Sequence, residues 1–115
     1  GQIWSFDLVA WPSKKVGAEG AKNSRRRVLR EESERLAWLA RKAEQNGFVP
    51  INVRELEAAQ QLGRHDEKQG GRLYVDSYHY QGTLRITDAV KFRYAVRKGI
   101  GPGKAYGLGM LLLKR

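Results

Sequence analysis

Arg25, Arg26, Arg27 and Arg30 stand together, with Lys14, Lys15 and Lys22 in the stretch before them. Basic side chains at this density suit phosphate oxygens. Each brings a positive charge, and arginine adds a planar fork that can hold two oxygens at once. The cluster lies just before a predicted helix, whose N-terminus contributes partial positive charge of its own. A charge run is also the ordinary make-up of a solvated face, so both readings stand on these residues alone. A second group, Arg64, Lys68 and Arg72, flanks the polar stretch GRHDEKQGG, residues 63–71, which can project into a groove or into solvent.

Acid–base chemistry has less to work with. The two histidines, His65 and His79, sit in no metal-ligand spacing and in no nucleophile motif. Asp66, Glu67, Asp76 and Asp88 form no recognisable carboxylate pair. Metal-free cleavage of RNA needs a general base or acid near the attacking 2′-hydroxyl, usually a histidine. No catalytic position is assigned here. The C-terminal segment GIGPGKAYGLGMLLLKR is more distinctive. Gly99, Gly101, Gly103, Gly107 and Gly109 fall within eleven residues around Lys104 and Tyr106, and the apolar run Met110–Leu113 follows. It comes after a predicted helix and before a predicted strand, the reverse of the common phosphate loops. It reads either as a backbone wall that a large anionic partner approaches, or as a helix C-cap with a tight turn.

A length of 115 residues fits one domain. Lysine and arginine number 22 against 12 acids, a net charge of +10. The charge is uneven. Residues 1–30 hold 7 basic and 2 acidic side chains, residues 31–90 hold 8 and 10, and residues 91–115 hold 7 and none. Basic ends around a near-neutral middle point to one positive face, and nucleic acid is the commonest polyanion that such a face attracts. The absence of cysteine excludes disulfides and thiolate metal sites and fits a reducing compartment. The apolar run Leu108–Leu113 is far too short to span a bilayer, so no membrane partner is expected. A chain that opens in a strand without Met points to trimming or partial coverage.

These groups must be positioned by the elements around them. Gln2–Trp11 alternates, with Ile3, Ser5, Asp7 and Val9 opposing Trp4, Phe6, Leu8 and Ala10, and reads as a strand that Pro12 ends. Ser13–Arg30 has no hydrophobic period and reads as a loop. Glu31–Asn46 reads as a helix. Glu31, Glu32 and Glu34 suit its positive end, Leu36, Leu39, Ala40 and Ala43 form its apolar stripe, Glu31 and Arg35 make an i,i+4 pair, and Asn46-Gly47 stops it. Trp38 reads as core. Phe48–Val53 is a second strand, while the helix formers of Arg54–Leu62 favour a short helix. Arg72–Ile86 is a long strand with a bulge at Gly82. Thr87 is the expected N-cap of a helix through Lys98, with Ala89, Phe92 and Val96 on one face and Gly99 as its stop. Leu108–Leu113 reads as a central buried strand.

The order β-α-β-β-α-β predicts an α+β, ferredoxin-like fold: a four-stranded antiparallel sheet with two helices on one face. That fold hosts many functions. No strand carries the aromatic RNA-stacking signature of its best-known RNA module, and Tyr74, Tyr78 and Tyr80 can be either stacking platforms or structural tyrosines.

Four stretches together resemble one family. The ending GIGPGKAYGLGMLLLKR resembles the glycine-rich C-terminal motif of the RAMP superfamily, and more narrowly the CasE-type CRISPR RNA endoribonucleases of the type I-E Cascade complex. Phe6–Lys15 running into Ser24–Arg30, ERLAWLARKAEQNGF at 34–48, and YQGTLRITD at 80–88 agree with it. The resemblance covers nearly the whole chain and implies a second, C-terminal ferredoxin-like domain, residues 1–115, of a two-domain protein. It implies binding of the CRISPR repeat hairpin, metal-independent and cofactor-free cutting at the 3′ side of the stem, and a place among other Cascade subunits in the cytoplasm. The family's catalytic His and Tyr lie in the first domain and have no match here. RNA binding carries over onto Lys14, Lys15, Lys22, Arg25, Arg26, Arg27 and Arg30 at the stem. It also carries onto Arg64, Lys68 and Arg72 of an arm, residues 54–72, that enters the major groove at a helix end, and onto Lys104. The arm reading turns Arg54–Leu62 into strand. Asp66 and Glu67 at its tip depart from the pattern. Two other functions are possible on these residues: a structural Cascade-like subunit that contacts mainly protein, and an autonomous nuclease using His65 or His79.

Overall fold

In the N-terminal strand, Phe6, Leu8 and Ala10 are buried and Ile3, Ser5 and Val9 are exposed, the period-two alternation of a strand with one covered face. The computed structural model describes residues 2–16, 25–63 and 73–115. Strand β1 is Ile3–Ala10, β2 Ser13–Val16, β3 Arg25–Val28, helix α1 Glu32–Gln45, β4 Phe48–Gly63, β5 Leu73–Ile86, α2 Ala89–Lys98 and β6 Leu111–Lys114. Four strands form one antiparallel sheet in the order β4-β5-β1-β6. With α1 between β1 and β4, and α2 between β5 and β6, this is the ferredoxin-like α+β fold.

The core lies between the sheet and the two helices. Phe6, Leu8, Leu39, Phe48, Tyr80, Leu84, Phe92 and Ile100 are buried there, and the Phe48 ring meets Phe6 and Phe92 edge-on. Trp38 is core, as expected. A smaller cluster of Trp11, Val75 and Leu108 closes the end of the sheet where β1 finishes.

Several local expectations are corrected. Residues 13–16 and 25–28 are not loop but a second, two-stranded sheet, pairing Ser13 with Val28 and Val16 with Arg25. The helix formers of 54–62 are strand, because β4 continues through Gly63 paired with β5, and pairing outweighs local propensity. The irregularities lie in β4, between Pro50 and Asn52 and between Glu55 and Ala58. Gly82 makes room for the first of them: a Cβ there would overlap the Asn52 carbonyl. Asp88, not Thr87, caps α2, its Oδ1 accepting from the Val90 and Lys91 amides at 3.1 Å. In α1, Ala40 is exposed while Arg35 is buried. The last strand is shorter than expected and lies at an edge, so its outward Leu112 is exposed. Tyr80 is fully buried, which makes it structural.

Candidate nucleic-acid interface

The basic cluster is built on the β2–β3 hairpin. Its register sets Lys14 opposite Arg27 and Lys15 opposite Arg26. Two cross-strand pairs of like charge oppose hairpin formation unless an anion lies against them. Lys14, Lys15 and Arg27 are exposed, as is Arg30 just beyond the hairpin. Arg26 is committed within the hairpin. Its Nε donates to Ser13 Oγ at 3.0 Å and its Nη2 to the Ser13 carbonyl at 3.3 Å. Among the described residues the salt bridges are Arg35–Glu55 and His79–Asp7, and neither uses a hairpin cation.

The arm leaves from the same end of the sheet. β1 stops at Ala10 opposite Tyr78, while β5 continues back to Leu73 and β4 runs on to Gly63, with no third strand beside them among the described residues. Residues 64–72 lie outside the described residues, and with them Arg64, Lys68, Arg72, His65, Asp66 and Glu67. Lys22 lies outside them as well.

The glycine segment arrives at that end too. All five of its glycines have φ between +77° and +88°. The Gly109 amide donates to the Val9 carbonyl, and its carbonyl accepts from the Ile100 amide, both at 2.7 Å. A Cβ on Gly109 would overlap the Ile100 carbonyl oxygen. Gly99 ends α2, with its amide on the Ala95 carbonyl. Most of this segment therefore serves a tight internal turn. It still carries one exposed cation, Lys104, in the single turn Lys104–Tyr106. The hairpin, the arm and Lys104 thus share the end of the sheet at which β1 finishes.

A feature not anticipated from sequence stands at the root of this end. Arg35, expected to pair with Glu31, pairs instead with Glu55 at 2.7 Å, with both side chains 9% exposed. The hydrogen bond to Glu55 holds the guanidinium further above its ordinary range. Burial, reinforced by the Glu55 charge, pushes the Tyr80 phenol well above its usual value, and its hydroxyl donates to Glu55 Oε2 at 3.0 Å. The only sequence signal was an arginine in the first turn of a helix, where a cation is out of place beside the positive end of the dipole.

His79 lies on the sheet face away from the helices, with Nε2 2.7 Å from Asp7 Oδ1. Gln81 Nε2 donates to the same oxygen at 3.3 Å. A cavity of about 280 Å³ beside this pair is lined by Val9, Gly107, Met110 and Leu112. Among the described residues no helix is long and apolar enough to cross a membrane.

The model of one protein family, described as CRISPR associated protein, matches residues 1–115. The chain belongs to that family. It is of the CasE type. The CRISPR-associated endoribonuclease Cse3 of Thermus thermophilus is 32% identical over 120 residues, covering 96% of this chain and 55% of the relative. The Cascade subunit CasE of Escherichia coli is 32% identical over 100 residues, covering 87% of this chain and 48% of the relative. The structure of Cse3 bound to a 19 nt RNA superposes with a TM-score of 0.85 at 31% identity, covering 100% of this chain and 57% of that one. The Escherichia coli protein Cas6e superposes with a TM-score of 0.77 at 30% identity, covering 98% of this chain and 60% of that one. The chain spans about half the length of the curated relatives it matches.

Proposed function

We propose that this chain binds the stem-loop of CRISPR repeat RNA as the RNA-holding part of a metal-independent CRISPR RNA processing endoribonuclease, in a Cascade complex. The observation that carries this reading is the pair of like-charged cross-strand contacts on β2–β3, at the end of the sheet from which the arm departs. Those cations lose repulsion only when an anion joins them, and a duplex phosphate backbone offers anions at matching density. The arm would reach the stem at its end, where the deep RNA major groove opens. Residues 1–115 form the C-terminal, ferredoxin-like half of a two-domain protein in this reading. The family's catalytic His and Tyr belong to the other half, so no catalytic residue is assigned here. Its partners would be the CRISPR RNA hairpin, the other Cascade subunits and that catalytic domain, in the cytoplasm. The named relatives support the reading: one is an endoribonuclease with an RNA-bound structure, the other a Cascade subunit.

The test removes two cations that make no side-chain hydrogen bond or ion pair among the described residues. Lys14→Gln with Arg27→Gln should weaken stem-loop binding and flatten the slope of log K against log salt by about two, for two lost phosphate contacts. Unchanged affinity and slope would exclude the hairpin from the interface.

A second reading rests on a different observation. β4 is an edge strand with Val49, Ile51 and Leu56 each more than two-fifths exposed, beside an apolar groove of about 580 Å³ against α1. An open apolar edge fits a subunit that contacts mainly protein. Absence of RNA affinity in the isolated chain would favour it.

A further inference from the structure

We propose that the buried Arg35–Glu55 pair is a positioning strut. It sets the basic hairpin and the β4–β5 arm at the angle that lets both engage one RNA duplex. This inference rests on the RNA-binding reading above and adds to it a residue pair that touches no RNA.

Arg35 makes four hydrogen bonds from one planar group. Its Nε donates to Glu55 Oε2 at 2.9 Å and its Nη2 to Glu55 Oε1 at 2.7 Å, a fork-to-fork contact. Its Nη1 donates to the carbonyls of Leu29 at 3.0 Å and Arg30 at 2.6 Å. These two residues open the three-residue link, Leu29, Arg30 and Glu31, between β3 and the start of α1. The guanidinium carbon also lies 4.1 Å from the centre of the Tyr78 ring. Glu55 in turn accepts from Tyr80, and it immediately precedes the register shift of β4 between Glu55 and Ala58. Tyr78 is the β5 residue opposite the last residue of β1, so the arm proper begins at this level. One guanidinium therefore joins the exit of the basic hairpin to the root of the arm.

A buried ion pair stabilises a fold no better than a well-packed apolar pair of the same volume, and truncating one partner leaves an uncompensated charge. What it offers instead is direction. A bidentate fork fixes distance and plane, which an apolar contact between the same backbones does not. Both elements that it joins are candidate grips on the same ligand, and β4 and β5 run on beyond the last residue of β1. A few degrees at the root become ångströms by Gly63 and Leu73.

The experiment exploits sign. Glu55→Gln adds one unit of positive charge, so electrostatics alone predicts tighter binding of any RNA. The strut predicts weaker binding of a duplex that needs both grips. The full chain and its variants are titrated, at one salt concentration, with a CRISPR repeat stem-loop and with oligouridylate of equal length. Glu55→Gln should lose about tenfold in stem-loop affinity and keep or gain affinity for oligouridylate. Arg35→Lys keeps the charge without the fork and should lose about threefold on the stem-loop alone. Circular dichroism and thermal melting check folding. If Glu55→Gln does not fold, the charge-neutral pair Arg35→Met with Glu55→Leu carries the test, with the same selective loss expected. Folded variants that bind the stem-loop as tightly as the parent would overturn the strut while leaving the RNA reading in place. A parent chain with no preference for the stem-loop over oligouridylate would overturn the RNA reading, and the strut with it.

Discussion

Two segments gather at the end of β1: the basic hairpin β2–β3, which continues from it, and the glycine turn 99–109, which is bonded onto it through Val9. The turn is held through its backbone. Its amides and carbonyls close on one another and on β1, and Gly109 leaves no room for a side chain against Ile100. The hairpin is held by its own ladder, by the Leu29 amide on the Pro12 carbonyl, and by Arg26 on Ser13, while Lys14, Lys15 and Arg27 are exposed. A segment that spends its polar groups on itself has little left for a ligand. A segment that leaves like charges opposed and exposed has its binding capacity still available. The glycines are therefore architecture, and the hairpin is the interface in the function proposed above.

The largest effect should come from the turn. Gly109→Ala places a side chain at φ +87° and against a carbonyl, and should destabilise the fold by about 3 kcal/mol or more in chemical denaturation. A loss below about 1 kcal/mol would show that the turn is not held as described. The arm root should come second. Tyr80→Phe removes one buried hydrogen bond and should cost about 1 kcal/mol at neutral pH. Its pH dependence follows from the raised phenol. Above about pH 10 the unfolded tyrosine ionises while folded Tyr80 stays protonated, so stability falls as pH rises from there. Tyr80→Phe should remove part of that alkaline loss, and an identical pH profile would contradict the assignment. The smallest effect should come from the hairpin. Lys14→Gln with Arg27→Gln should change stability by no more than about 0.5 kcal/mol, and in the direction of relieved repulsion, while the proposed function expects it to weaken RNA binding. A large stability loss there would erase the contrast between the two segments.

Much of this was legible from residues alone. The strand periods of β1 and β5, the helix from Glu32, and the glycine stop of α2 follow from patterns that tertiary contacts reinforce. The β2–β3 hairpin was not legible, because a two-stranded ribbon of basic residues buries no stripe and so shows no hydrophobic period. The edge position of β6 was hidden for the opposite reason. Leu111 faces the core and Leu112 faces solvent, so an outward leucine made the run look buried on both faces. The arm from Arg54 required the family resemblance, since its helix formers become strand only when β5 is beside them. Arg35 was invisible as a partner of Glu55 because they lie twenty residues apart and Glu31 offered a nearer, weaker match. The exposed cations needed no structure to be found, but only the register shows that they oppose one another.

The most direct measurement is binding of the unmodified chain to a CRISPR repeat stem-loop and to oligouridylate across a salt series. The account predicts a preference for the stem-loop, and an affinity that falls with salt with a log–log slope of about −3 or steeper, for several neutralised phosphates. Equal affinity for the two RNAs, or a slope near zero, would contradict it.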